Sequence, residues 1–304
     1  MIWVAVLLAL IGGDEMPARR FRNPASLPDP FVMGESERPD QQNNNTGWRD
    51  TNGKTLRSKV IDPNIRTLVL ITAGQSLMVN LLTNVATPSN PSMLDNLNPY
   101  DGSIYAAADP LLGTTAAFGG GGFGAGCIAT LIGDQLITNG KFHRVILVPI
   151  SVGGTMAFQW AENGVLNNRV TAAVNRLRYA GITASTPGVT MAAVWGQGES
   201  DNTGGTSQAS YAASLTSWIN TARAAGMSGR IFVNLETWNN GASATIRAAQ
   251  AQVVAANGNV FFGGDIDTLD NTYRVDNVHP VSPTAAAAFK NLVVNAMAAS
   301  GSPF

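Results

Sequence analysis

From Thr67 to the C-terminus, short apolar runs of strand length alternate with segments whose apolar residues recur at helical spacing. The runs are TLVLIT (67–72), RVILVPI (144–150), VTMAAVW (189–195), RIFVNLE (230–236) and NVFFGG (259–264). Residues 124–140 place Ile128, Leu131, Ile132 and Leu136 on one helical face, and residues 165–180 do the same with Leu166, Val170, Val174 and Leu177. Residues 207–225 align Tyr211, Leu215, Trp218, Ile219 and Ala222, and a further helix is expected at about 242–256. The last helix starts at Ser282-Pro283, an N-cap followed by proline at the first helical position. It buries Phe289, Leu292, Val293 and Met297, and Gly301 closes it. Strands separated by helices imply a parallel sheet covered on both faces. Ligands of such sheets bind beyond the carboxyl ends of the strands, so the residues after each run are the ones to inspect.

Upstream, residues 1–12 (MIWVAVLLALIG) form one apolar run. A membrane-spanning helix takes ~20 residues, and an ordinary signal peptide has a basic n-region and a small-residue cleavage site that this segment lacks. Three readings stay open: an atypical signal or anchor, a strand buried in the domain, or a segment docked on a partner subunit or assembly. Residues 13–60 are polar, with Pro17, Pro24, Pro28, Pro30 and Pro39, and read as an extended arm. The expected organisation is therefore an N-terminal segment and arm over 1–60 and a folded domain over 61–304. The stretch 81–123 shows little periodicity and includes Gly119 to Gly122. A loop of that length in a compact domain is usually functional, and it is expected to shape the substrate site.

Composition removes several function classes. With 19 basic and 20 acidic residues, the chain has no cationic excess for neutralising nucleic-acid phosphates. One cysteine, Cys127 on an apolar helix face, excludes a disulfide framework or multi-cysteine metal site and reads as core. The only histidines are His143, which reads as surface at a strand entrance, and His279. Asp265, Asp267 and Asp270 lack the glycine and distal glutamate of a calcium loop and read as a solvated turn. No cofactor or metal is expected. Only 13% of residues are charged, and the uncharged polar run Gln41 to Asn45 favours a secreted or virion-associated setting over a cytoplasmic one.

Four clusters follow strands. Gly74-Gln75-Ser76 follows the first, and Gly74 permits a sharp turn before Ser76 at a helix N-terminus. Gly153 and Gly154 follow the second, Gln197, Glu199 and Asp201 the third, and Asp276 and His279 precede the last helix. Together they supply the parts of serine hydrolysis. A serine needs a base to be nucleophilic at neutral pH, and a histidine base needs a carboxylate to fix its tautomer. Asp276 and His279 are three apart, so one turn can aim both at Ser76. The Ser76 N–H, a Gly153 or Gly154 N–H and the Gln197 side-chain amide can form an oxyanion hole.

These residues resemble the four motif blocks of SGNH hydrolases: GQS at 74–76, GGTMAFQW at 153–160, WGQGESD at 195–201 and DNVHP at 276–280. They are most similar to the carbohydrate-esterase branch that holds sialate O-acetylesterases and acetylxylan esterases, over roughly residues 67–297. Four ordered blocks, each after a strand, are far more specific than a lone GQS or DxxH. The resemblance implies Ser76 as nucleophile, His279 as base, Asp276 as orienting carboxylate, and Gly153 or Gly154 with Gln197 in the oxyanion hole. Glu199 is a rival to Asp276, or an auxiliary acid, because some members use the glutamate of QGE beside the histidine. Family members usually carry Asn directly after the nucleophile; here Leu77 stands there, and Asn80 lies three further on.

The expected fold is a three-layer α/β/α sandwich with a five-stranded parallel sheet in flavodoxin-like order. The expected activity is a metal-independent serine esterase removing O-acetyl groups from a carbohydrate. One alternative is a structural or glycan-binding component of a secreted assembly or virion; a weaker one is a lipase- or thioesterase-like SGNH enzyme. Trp160 and Trp195 read as packing residues first and sugar platforms second.

Overall fold

The computed structural model describes residues 51, 53–115 and 125–301. In chain order its strands are β1 (Thr67–Gly74), β2 (Asn80–Leu82), β3 (Leu94–Leu97), β4 (Ile104–Ala106), β5 (Gly126–Cys127), β6 (Arg144–Pro149), β7 (Val189–Gly196), β8 (Arg230–Leu235) and β9 (Val260–Asp265). The helices are α1 (Ile128–Thr138), α2 (Asn168–Tyr179), α3 (Glu199–Thr203), α4 (Gln208–Ala225), α5 (Ala244–Ala256) and α6 (Pro283–Ala299). The expected apolar runs are β1, β6, β7, β8 and β9, all parallel to their neighbours in the order β6-β1-β7-β8-β9. That is the flavodoxin-like order.

The main sheet has seven strands rather than five. β3 adds parallel to β6, and β4 closes that edge antiparallel to β3. Both arise from the stretch expected to be a loop. β3 reads LDNL and is buried at all four positions, so its polar residues break the apolar run that marks a buried strand. Those polar groups are paired inside. Asp95 accepts from Arg144 Nε at 2.7 Å, and Asn96 exchanges hydrogen bonds with the Leu112 N–H and C=O at 2.7 and 3.1 Å. A buried polar group is tolerable once it is hydrogen-bonded.

The expected arm reaches the described residues only at 51 and 53–60, where the Arg57 N–H donates to Ile104 and Thr55 accepts from the Ala106 N–H along β4. The apolar run 1–12, the rest of the arm and the four glycines 119–122 lie outside the described residues. Among the described residues, no helix is long and apolar enough to cross a membrane.

The layers follow from strand alternation. In β1 every residue is buried. Leu68 and Leu70 face a core shared with Ile132 and Leu136 of α1 and Phe289 and Val293 of α6. Val69 and Ile71 face the other core, with Val174 and Leu177 of α2, Leu215 and Trp218 of α4, and Val253 of α5. A period of two on a strand places successive side chains on opposite faces, so helices are needed on both. The anticipated cap of the last helix is present, with Ser282 Oγ accepting from the Ala285 N–H and proline at the first position. All the strand ends that carry the motif blocks emerge at one edge of this sheet.

Candidate active site

β1 ends at Gly74, whose φ of 123° lies in the region that favours glycine. A Cβ there would stand 1.9 Å from the Gly196 carbonyl oxygen, so the ends of β1 and β7 meet only because position 74 has no side chain. The Gln75 N–H donates to that same oxygen at 2.8 Å, and the chain turns into a single 3₁₀ turn, Ser76–Met78. The helix expected to begin at Ser76 is only this one turn. A three-residue turn carries little macrodipole, so any activation of this serine rests on its neighbours.

Ser76 Oγ lies 2.9 Å from His279 Nε2, across the sheet edge from the loop before α6. The other ring nitrogen, Nδ1, is 2.6 Å from Asp276 Oδ2. Asp276 is itself held: its Oδ1 accepts from the Val278 and His279 N–H groups at 3.0 and 2.7 Å, around Asn277 at φ 62°. Burial alone would raise the Asp276 carboxyl, but its bonds to the His279 ring and to the two backbone amides outweigh that and hold it below the usual carboxylate range. The loop is anchored from the segment after β8 by the Asn240 N–H, which donates to the Asn277 carbonyl. Asp276, His279 and Ser76 thus form one continuous hydrogen-bonded line, and a serine in that line can pass its proton to the ring.

The backbone around the serine separates the donors. The Gly153 N–H donates to Thr115 at 2.9 Å and is engaged inside the protein. Gly154, at φ 69°, is exposed, and neither its N–H nor that of Ser76 donates to any described residue. Of the glycine pair, Gly154 is therefore the one with an amide to offer.

Gln197 differs from expectation. It is fully buried, and its Nε2 lies 2.5 Å from Asp201 Oδ2, 3.0 Å from the Thr155 carbonyl and 3.1 Å from Gln75 Oε1. Two amide hydrogens facing three protein acceptors leave none for an oxyanion. Gln197 instead ties the turn before Ser76 to the glycine loop, and Asp201 extends the tie by accepting from the Ala157 N–H at 2.8 Å.

Glu199 is also buried, and neither of its carboxyl oxygens is hydrogen-bonded to another described residue. The bond to His279 Nδ1 belongs to Asp276. Asn80 does not stand in for the asparagine missing at Leu77: it is buried, and its amide holds Leu111 and Thr114. Trp160 and Trp195 are 0% exposed, which removes the sugar-platform reading. Trp160 Nε1 donates to Thr155, and Trp195 Nε1 to Tyr211.

The Asp265, Asp267 and Asp270 group is not one solvated turn. Asp267 is buried and bonded to Thr237, and it shares Arg247 with Asp265 at 3.0 and 2.7 Å; only Asp270 sits in an exposed turn, over Thr272. Among the described residues, no group of three or more His, Cys, Asp or Glu side chains has metal-site geometry. His143 is exposed and Cys127 is buried in the core.

The sequence reading missed Glu236 and Arg274. Both are buried near Glu199, just after β8 and in the loop before His279. A charged residue directly after an apolar run, as Glu236 is after RIFVNL, was the available signal.

A family model described as "carbohydrate esterase, sialic acid-specific acetylesterase" matches residues 67–298. Among solved structures, a protein from Arabidopsis thaliana has a TM-score of 0.58 at 19% identity, over 76% of this chain and 97% of that one. The structure of NanS has a TM-score of 0.49 at 16% identity, over 79% and 98% of the two chains. A carbohydrate acetylesterase from Xanthomonas citri has a TM-score of 0.45 at 14% identity, over 75% and 55%. No curated protein matches the sequence.

Proposed function

The chain belongs to the carbohydrate esterase family of sialic acid-specific acetylesterases, and from that premise we propose a two-step serine mechanism acting on an O-acetylated carbohydrate. A carboxylic ester hydrolase of this family removes acetyl groups; the residues, steps and substrate class below are our reading.

Ser76 Oγ attacks the acetyl carbonyl carbon while His279 Nε2 takes its proton. The tetrahedral oxyanion accepts hydrogen bonds from the Ser76 and Gly154 N–H groups. Asp276 holds the ring with its Nε2 toward the serine and stabilises the imidazolium. Collapse breaks the bond to the sugar oxygen, which leaves with the proton from His279. Water, deprotonated by His279, then attacks acetyl-Ser76 and releases acetate. Gln197 supports this by positioning Gln75 and Thr155, the residues that flank both donors. Glu199 takes no proton from the ring in this scheme.

The observation that carries the reading is the unbroken Asp276–His279–Ser76 line, with heavy-atom distances of 2.6 and 2.9 Å. The test compares wild type and Ser76→Ala on acetate-to-octanoate model esters and on acetylated saccharides. Activity centred on acetate, lost in the variant while the unfolding temperature holds, is expected. Substantial residual turnover in Ser76→Ala would sink the nucleophile assignment, and a preference for octanoate would sink the acetylesterase substrate class.

A further inference from the structure

The loop that carries Asp276 and His279 has almost no apolar core of its own. From 271 to 279 the one buried residue is Arg274, at 7% exposure, while Tyr273 and Val275 on either side of it are exposed. With so little apolar packing, polar contacts decide where such a loop sits.

Arg274 supplies those contacts. Its Nε donates to the Leu269 carbonyl at 2.6 Å and its Nη2 to the Ile266 carbonyl at 2.8 Å, both at the turn after β9. Ile266 and Leu269 are themselves buried, in the core that holds Leu68, Leu70 and Phe289. The third nitrogen, Nη1, donates forward to the Val278 carbonyl. One planar group thus joins the catalytic loop to a turn fixed by the core. A guanidinium presents its donors in a rigid fork, whereas a lysine ammonium is a point charge on a flexible stem. The Trp238 ring, in the segment after β8, lies over the guanidinium 5.1 Å from Cζ, and its Nε1 donates to Asn271 at 2.9 Å.

The forward bond lands on the peptide group that sets the base. The Val278 carbonyl and the His279 N–H belong to one planar unit. Its oxygen accepts from Arg274, and its N–H donates to Asp276 Oδ1 at 2.7 Å. A cation at one end and an anion at the other polarise the peptide in the same sense, and bonds in such a chain strengthen one another. That plane fixes the backbone from which the His279 ring reaches Ser76 Oγ. Asn240 adds a single bond, at 3.2 Å, to the Asn277 carbonyl.

We propose that Arg274 is a positioning residue for the base: it carries the geometry of the turn after β9 to the Val278–His279 peptide and so holds His279 Nε2 at bonding distance from Ser76. It acts through the backbone, not on the reacting atoms. The kinetic part of this role rests on the serine mechanism proposed above; the clamp on the loop does not.

Arg274→Lys keeps the charge and loses the fork. Displacing a reacting group by about 1 Å can cost about 10²-fold in rate. On an acetate ester, well below its unfolding temperature, the variant is therefore expected to lower kcat about 10²-fold with KM within about twofold. Its amide hydrogen exchange is expected to quicken about tenfold or more at Val278 and His279 and to stay as in wild type at Val69 and Leu70 of β1. Uniform quickening at all four amides would mark a general loss of stability and overturn the positioning role. So would a kcat within about threefold of wild type, or a raised KM with kcat intact. If Arg274→Lys does not fold, wild type decides. Its His279 amide is expected to exchange far more slowly, relative to an unstructured chain, than that of the exposed Asn277, and equal rates would overturn the clamp. Wild type inactive on every ester, with the exchange pattern as expected, would count against the esterase reading and leave the clamp standing.

Discussion

His279 Nε2 stands 2.9 Å from Ser76 Oγ across 203 residues of sequence. The contact is made at the sheet edge, where β1 delivers the serine and the loop before α6 delivers the ring. Asp276 sits three residues before His279 and holds both the ring and its backbone amide. In the proposed mechanism, Asp276→Asn removes the charge that fixes the tautomer and stabilises the imidazolium. It is expected to lower kcat by about 10³–10⁴ with little change in KM, as for other serine triads. Steady-state kinetics on an acetate ester will show it; a loss below about tenfold would transfer the orienting role elsewhere.

Gly74→Ala places a methyl 1.9 Å from the Gly196 carbonyl oxygen at a φ of 123°. Neither strand end can yield without breaking the Gln75–Gly196 hydrogen bond. The expected result is destabilisation by more than 3 kcal/mol, or no soluble fold. Thermal unfolding reads this, and a near wild-type midpoint would mean the two strand ends part easily.

Gln197→Leu tests whether that amide is a scaffold. The substitution removes one donor from each of Asp201 Oδ2, the Thr155 carbonyl and Gln75 Oε1; the first keeps the Ala157 N–H and the last the Ser200 N–H. A buried acceptor left without a donor, here the Thr155 carbonyl, costs about 1–3 kcal/mol. Stability and activity are expected to fall together. A folded protein of unchanged midpoint with a 10²–10³ loss in kcat would instead mark a direct oxyanion donor.

Stability should depend on pH in two windows of opposite sign. Glu199 and Glu236 have raised folded values, so between their unfolded value near 4.3 and the folded value of about 8 for Glu236 the native state holds more protons than the unfolded chain. Unfolding free energy therefore declines as pH rises through that window, by up to about 1.4 kcal/mol per pH unit for each proton retained. Denaturant titrations from pH 5 to 8 on wild type and Glu236→Gln test this, with a shallower slope expected in the variant. Asp276 works the other way: its folded value is depressed, so its contribution is present above the unfolded value near 3.9 and fades as pH falls through the folded one. Asp276→Asn should flatten the acid limb of the stability curve.

Asn96→Leu is the complementary test on the sheet edge. It leaves the Leu112 N–H and C=O without their partner inside the protein. A loss of about 2–4 kcal/mol is expected from two orphaned backbone groups. Guanidinium unfolding will measure it; a change under 0.5 kcal/mol would mean the 111–115 segment rearranges freely.

Local periodicity carried much of this protein in the sequence. The five central strands, the caps of the last helix and the faces of the helices depend on residues a few positions apart, and each was legible as apolar spacing. So was the proximity of Asp276 to His279, because three residues of one turn decide it. What tertiary structure decided was the pairing of buried polar groups. Nothing near Leu94 to Leu97 reveals that Asp95 meets Arg144 or that Asn96 meets Leu112, so β3 and β4 read as loop. Nothing near Gln197 reveals the acceptors on Thr155 and Gln75, 42 and 122 residues away, that engage its amide. The same holds for Gly153 and Gly154: adjacent and chemically identical, they are told apart only because Thr115 arrives to accept from the first. A buried hydrogen bond is favourable only when its distant partner is in place, so these assignments exist in the folded molecule and in no local stretch of its chain.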